Sequence, residues 1–160
     1  MNMPLDVFQS IRRDGSDAVA RVATLDTVDL QDETGQSLLH SAIAYSNMPA
    51  VLYLLGRDVN VNIQDAKGVT PLHLAGAYRN PEIASLLLEH GAELSLVDQH
   101  GNSAIWTAAF NARGQHDVVK VLMARGGREY ADLKNIHGRS PLDFARQIGD
   151  MRLVNLLERV

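Results

Sequence analysis

Apolar residues in this chain come in short bursts, and their spacing predicts helices. Ile83, Leu86 and Leu87 recur three and four residues apart, which puts them on one helical face. Ahead of them Leu72, Ala75 and Ala77 form a stretch of small apolar residues, a first helix able to lie close against its neighbours. Asn80-Pro81 breaks that helix, and Pro81 opens the second. Upstream, Asp65-Ala66-Lys67-Gly68 reads as a turn in which Gly68 supplies backbone freedom that other residues reach only with strain. Thr70 stands where an N-cap belongs and Pro71 at the first helical position. Glu89-His90-Gly91 ends the second helix on a left-handed glycine, and Ala92 with Glu93-Leu94-Ser95 leads into the next turn at Asp98.

The same arrangement recurs. Gly-Val-Thr-Pro-Leu-His at 68–73 is echoed by Gly-Gln-Ser-Leu-Leu-His at 35–40, and more loosely by 101–106 and 138–143. The lead glycines, Gly35, Gly68, Gly101 and Gly138, are separated by 33, 33 and 37 residues. A fixed period of that length predicts stacked supersecondary units instead of one globular core. Full units span 32–64, 65–97 and 98–134. The first carries Asp32, Gly35, Ser37, Leu39-His40, Ala42, Val51 and Leu54-Leu55, with Asp58 at the expected glycine cap, where Asp is tolerated at modest cost. The third keeps Asp98, Gly101, Ser103, Ala108, Val118-Val119, Leu122 and Gly126, but replaces Pro-Leu-His by Ala104-Ile105-Trp106. Its extra residues fall between the two helices near Asn111 to Gln115, and in the hairpin near Gly127 to Leu133.

The ends read as caps, which must present a polar outer face. At 1–31, Pro4 to Arg13 and Ser16 to Ala23 form two short helices around Asp14-Gly15. At 135–160, Arg152, Asn155 and Arg159 form a solvated stripe over Leu153, Leu156, Leu157 and Val160.

This pattern resembles the ankyrin repeat: a hairpin loop, two antiparallel helices and a return to the next hairpin. Asp65, Gly68, Thr70-Pro71-Leu72-His73, Ala75, Ile83, Leu86-Leu87 and Gly91-Ala92 carry the resemblance, clearly over 32–160 and more faintly over 4–31. It implies an all-α solenoid forming a single domain, and a protein–protein interaction module with a protein partner. In such stacks the concave side, made of hairpin tips and first helices, does the binding. The expected contact residues at the tips are Glu33 and Gln36, Lys67 and Val69, Gln99, His100 and Asn102, and His137 and Arg139. At the ends of the first helices they are Tyr45, Tyr78, Phe110 and Asn111, with Ala44, Ala77, Gln147 and Ile148 in equivalent places. Aromatic anchors are enriched in binding hot spots. The alternative for these rings is packing at the ends of short helices, and packing is the favoured reading for Trp106, where the family places a histidine that braces the turn.

Composition narrows the field further. The chain has 160 residues, with 15 basic and 19 acidic residues giving a formal charge of −4, which argues against a nucleic-acid footprint. Without cysteine there is no disulfide or thiolate chemistry. No apolar run approaches the roughly 20 residues that span a bilayer, and the start lacks a signal peptide's features. The expectation is a soluble cytoplasmic protein, a monomer when free, that binds neither membrane nor nucleic acid.

Nothing in the motifs suggests catalysis, a cofactor or a metal. Gly138-Arg139-Ser140 is a helix start, not a nucleophile elbow, and no phosphate-cradling loop or HExxH pairing occurs. His40 and His73 occupy the same place in successive units, about 10 Å apart, too far for one metal with bonds near ~2 Å. Glu82, Glu89 and Glu158 read as solvated helix positions. Two further readings stay open. One is a stand-alone immunity protein of bacterial type that occludes a toxin or effector enzyme, suggested by the short capped length. The other, of a different class, is a small-ligand or metal site using Trp106, His100 and His137.

Overall fold

The computed structural model describes residues 4–13 and 15–158. Asp14 of the first predicted turn, and Arg159 and Val160 of the last stripe, lie outside the described residues. Among those described, the chain is all helical apart from isolated bridges at the hairpins, Gln31 to Ser37 and Val97 to Ser103.

Five helix pairs follow one another. They are α1 (Pro4–Arg13) with α2 (Gly15–Ala23), α3 (Leu38–Ala44) with α4 (Met48–Leu55), and α5 (Pro71–Ala77) with α6 (Pro81–Glu89). Then come α7 (Ala104–Asn111) with α8 (Asp117–Ala124), and α9 (Pro141–Gln147) with α10 (Met151–Glu158). The first helices pack on one another in chain order, α1 on α3, α3 on α5, α5 on α7 and α7 on α9. Behind them α2 packs on α4, α6 on α8 and α8 on α10.

Caps predicted from sequence set the starts. Ser37, Thr70, Ser103 and Ser140 each accept, through the side-chain oxygen, the N–H three residues on. Asn47 and Asn80 do the same for α4 and α6. Left-handed residues close the elements: Gly91 and Gly126 after second helices, with Asp58 (φ 54°) in the same place in the first unit. The buried stripe of the second helices is Ala50, Val51 and Leu54, then Ile83, Ala84 and Leu87, then Val118, Val119 and Leu122, then Leu153, Val154 and Leu157. Leu86, predicted within that stripe, is only half-buried at its edge.

The unit-three insertions fall where the spacing placed them. One makes the loop between α7 and α8; the other forms a 3-10 turn, Gly127–Tyr130. Gly127 is buried there with no room for a side chain: a Cβ would lie 2.5 Å from Ile105 Cδ1 and 2.6 Å from the Leu122 carbonyl oxygen.

Candidate functional site

One repeated device builds the hairpin row. In each hairpin a single carboxylate or amide oxygen accepts two backbone N–H groups. Asp32 Oδ1 takes those of Thr34 and Gln36, Asp65 Oδ1 those of Lys67 and Val69, Asp98 Oδ1 those of His100 and Asn102, and Asn135 Oδ1 those of His137 and Arg139. Adjacent hairpins are then joined by backbone bonds: Ala66 N–H donates to Thr34 O at 3.0 Å, Gln99 N–H to Lys67 O at 2.8 Å and Ile136 N–H to His100 O at 3.0 Å. The lead glycines therefore stand in a row. A Cβ on Gly35 would meet Ala66 N at 2.7 Å, one on Gly68 would meet Asp98 Cα at 3.1 Å, and one on Gly101 would meet Ile136 N at 3.2 Å.

Two histidines lock consecutive units together. His40 Nδ1 accepts from the Ser37 N–H and hydroxyl while Nε2 donates to Val69 O at 2.8 Å. His73 repeats this with Thr70 and with Asn102 O at 2.9 Å. That geometry requires the neutral ring. Burial pushes both histidines below the ordinary value, outweighing the carbonyl bonds and nearby aspartates that pull the other way.

The third joint departs from this rule. Trp106 replaces the histidine, so among the described residues nothing from α7 reaches the Arg139 carbonyl, which accepts the Asn135 N–H within its own hairpin. An amide pair takes over, with Asn135 Nδ2 donating to Asn102 Oδ1 at 2.8 Å. Trp106 is half-buried, stacked on Phe110 at 5.1 Å and tilted against Phe144 at 5.9 Å, which is the packing expected of it. Its indole Nε1–H is buried without an acceptor. A cleft of about 520 Å³ opens at this joint, lined by His100, Asn102, Trp106, Asn135, His137 and Arg139.

Large apolar side chains stand exposed at one repeated position. Tyr45 (55%), Tyr78 (53%) and Ile148 (53%) each follow their lead glycine by ten residues, and Phe110 (53%) falls one residue short of that place. Tyr45, Tyr78 and Ile148 cap the C-termini of α3, α5 and α9, and Phe110 lies in the last turn of α7.

The family profile for ankyrin repeats (three copies) matches residues 8–98 and 39–133, together most of the chain. The chain belongs to the ankyrin repeat family. Ankyrin repeats are generally protein–protein interaction modules and typically non-enzymatic scaffolds. No curated protein matches this chain. No described helix is long and apolar enough to cross a membrane.

Within the ankyrin stack the residues singled out from sequence divide into two groups. Glu33, Lys67, Gln99, His100, His137, Arg139, Tyr45, Tyr78 and Phe110 are exposed. Gln36, Val69, Asn102, Trp106 and Asn111 are half-buried, and of these Asn102 and Asn111 use their side chains in hydrogen bonds within the stack. Asn102 binds Asp98, Asn135 and His73, while Asn111 Nδ2 donates to Thr107 O at 2.8 Å. Glu82, Glu89 and Glu158 are all exposed as expected, Glu89 pairing with Arg125 at 3.3 Å and Glu158 with Arg146 at 2.6 Å. Among the described residues no three His, Cys, Asp or Glu side chains are grouped to hold a metal.

Besides the Asn102–Asn135 bridge, sequence reasoning missed a second polar pair. His116 Nε2 lies 2.7 Å from Asp150 Oδ2, joining the residues that precede α8 and α10. Burial opposes ionisation of Asp150, but the Leu153 N–H and His116 outweigh it and hold the carboxyl below its usual range. Aligning the two second-helix starts across the unit-three insertion would have found the pair.

Proposed function

We propose that this ankyrin stack binds a protein partner stoichiometrically across its hairpin tips and first helices, centred on units two and three. The observation that carries the reading is the row Tyr45, Tyr78, Phe110 and Ile148. Large apolar groups exposed once are ordinary, but three at one repeat position, with Phe110 one residue short of it in unit three, make a ladder for a partner to cover. The second helices offer no such row: Leu52 is exposed in α4, but the equivalent places hold Ser85, Lys120 and Asn155. A standard interface of about 800 Å² per side fits what three or four units present.

Affinity capture from the native source with wild-type chain, Tyr78→Ala and Phe110→Ala tests this. Each substitution is expected to weaken binding by about 1–3 kcal/mol. Tyr78→Ala leaves the thermal melt almost unchanged, while Phe110→Ala lowers stability by about 1 kcal/mol through its lost stack on Trp106. Full capture by both variants would remove the reading. Occlusion of a toxin or effector enzyme is one use of such a contact. It predicts that the captured protein loses its activity when the chain is added back, and equal activity would exclude it.

A further inference from the structure

We infer that the cleft between the third and fourth hairpins receives a carboxylate side chain from an acidic, extended segment of the partner protein, held by Arg139 with His100 and His137 beside it and Trp106 as a wall. This rests on the protein-binding reading and names the chemistry of the partner.

Two substitutions within the repeat make this joint unlike the others, and both favour an anion. The hairpin carboxylate of Asp32, Asp65 and Asp98 becomes the neutral Asn135 in unit four. The position held by Gln36, Val69 and Asn102 becomes Arg139. Among the described residues no acidic side chain lines the cleft. The nearest hairpin carboxylate, Asp98, is turned inward, with Oδ1 on the His100 and Asn102 N–H groups and Oδ2 on Asn102 Nδ2 at 3.1 Å. The asparagines of the floor are likewise engaged, with each other and with the backbone.

The remaining side-chain groups are donors. The Arg139 guanidinium is exposed and has no partner among the described residues. The rings of His100 and His137 stack at 6.2 Å; His100 Nε2 accepts from Gln99 Nε2 at 3.2 Å, which places its N–H on Nδ1. The open joint itself follows from Trp106. A histidine there would close the hairpin by the bond that His40 and His73 make, whereas the joint walled by Trp106 holds a gap of about 520 Å³. Arginine is the side chain best matched to a carboxylate, which it grips through two parallel bonds.

Trp106 is the chain's single tryptophan, so its fluorescence reports directly on the cleft. The full chain is titrated with acetylated, amidated hexaglutamate and hexaglutamine peptides, and with N-acetylglutamate amide. Saturable fluorescence change with hexaglutamate, weakened by salt and absent with hexaglutamine, is expected. Arg139→Ala should reduce that affinity at least about tenfold, and Arg139→Lys should restore part of it, in variants whose circular dichroism matches wild type. No saturable response to hexaglutamate, an equal response to hexaglutamine, or unaltered binding by Arg139→Ala overturns the inference. Binding of the single amino-acid derivative as tightly as the peptide also overturns it, since the site would then serve a small carboxylate. If Tyr78→Ala abolishes partner capture while Arg139→Ala leaves it intact, the carboxylate pocket falls and protein binding stands. If the peptide titration succeeds while the aromatic variants capture normally, the ladder falls instead.

Discussion

His73 shows how much one side chain can fix in a repeat lattice. It is 2% exposed and accepts from its own helix cap through one ring nitrogen while donating to the next hairpin through the other. Truncating it to alanine leaves the Asn102 carbonyl without this donor, and chemical denaturation should show a loss of about 2–3 kcal/mol. Titration follows from the same bonds. Burial holds the folded-state affinity of His40 and His73 for protons below the ordinary value of 6.5. The unfolded chain therefore binds more protons, and stability is full above that value and falls as pH drops below it. Melts measured between about pH 7 and 5 should decline, and His73→Ala should flatten the slope. Gly68 is fixed differently, by a φ of +75° and by the Asp98 backbone 3.1 Å from where a Cβ would lie. Gly68→Val should cost about 2–4 kcal/mol, read from the same denaturation curves.

Elements in this stack are short, seven to ten residues among the described α-helices, so each depends on its neighbours for stability. The contact between α5 and α7 is the most extensive, and Gly76 permits it: a Cβ there would sit 3.1 Å from Ala108 N and 3.2 Å from Ala104 O. Alanine is the better helix former by about 1 kcal/mol, yet here it would press on backbone that cannot easily move. Gly76→Ala should therefore lower stability by about 1–3 kcal/mol instead of raising it, as a calorimetric melt would show. Sequence alone exposed the period, the caps, the glycine turns and both insertions, because each depends on a local conformational preference. It did not expose the role of Gly76, the His116–Asp150 pair or the Asn102–Asn135 bridge. Those depend on which surfaces meet between units, and the four extra residues of unit three hide the correspondence. The cleft was legible only as a gathering of Trp106, His100 and His137; its anion preference needed the observation that Asp98 is bonded inward.

At the scale of the whole molecule, binding in a repeat stack follows from periodicity. A position that recurs becomes a stripe, and a side chain repeated there becomes a ladder. Tyr45, Tyr78, Phe110 and Ile148 form that ladder at the ends of the first helices, whereas the place of exposed Leu52 in the other second helices is taken by Ser85, Lys120 and Asn155. The open third joint adds a polar, cationic feature beside the ladder, near Phe110 through its stack on Trp106. Hydrogen–deuterium exchange of the chain with and without its captured partner tests this assignment of faces most directly. New protection is expected in the hairpins and in the C-terminal turns of α3, α5, α7 and α9, with α4, α6 and α8 unchanged. Protection concentrated on α4, α6 and α8, with the first helices exchanging as in the free chain, would contradict it.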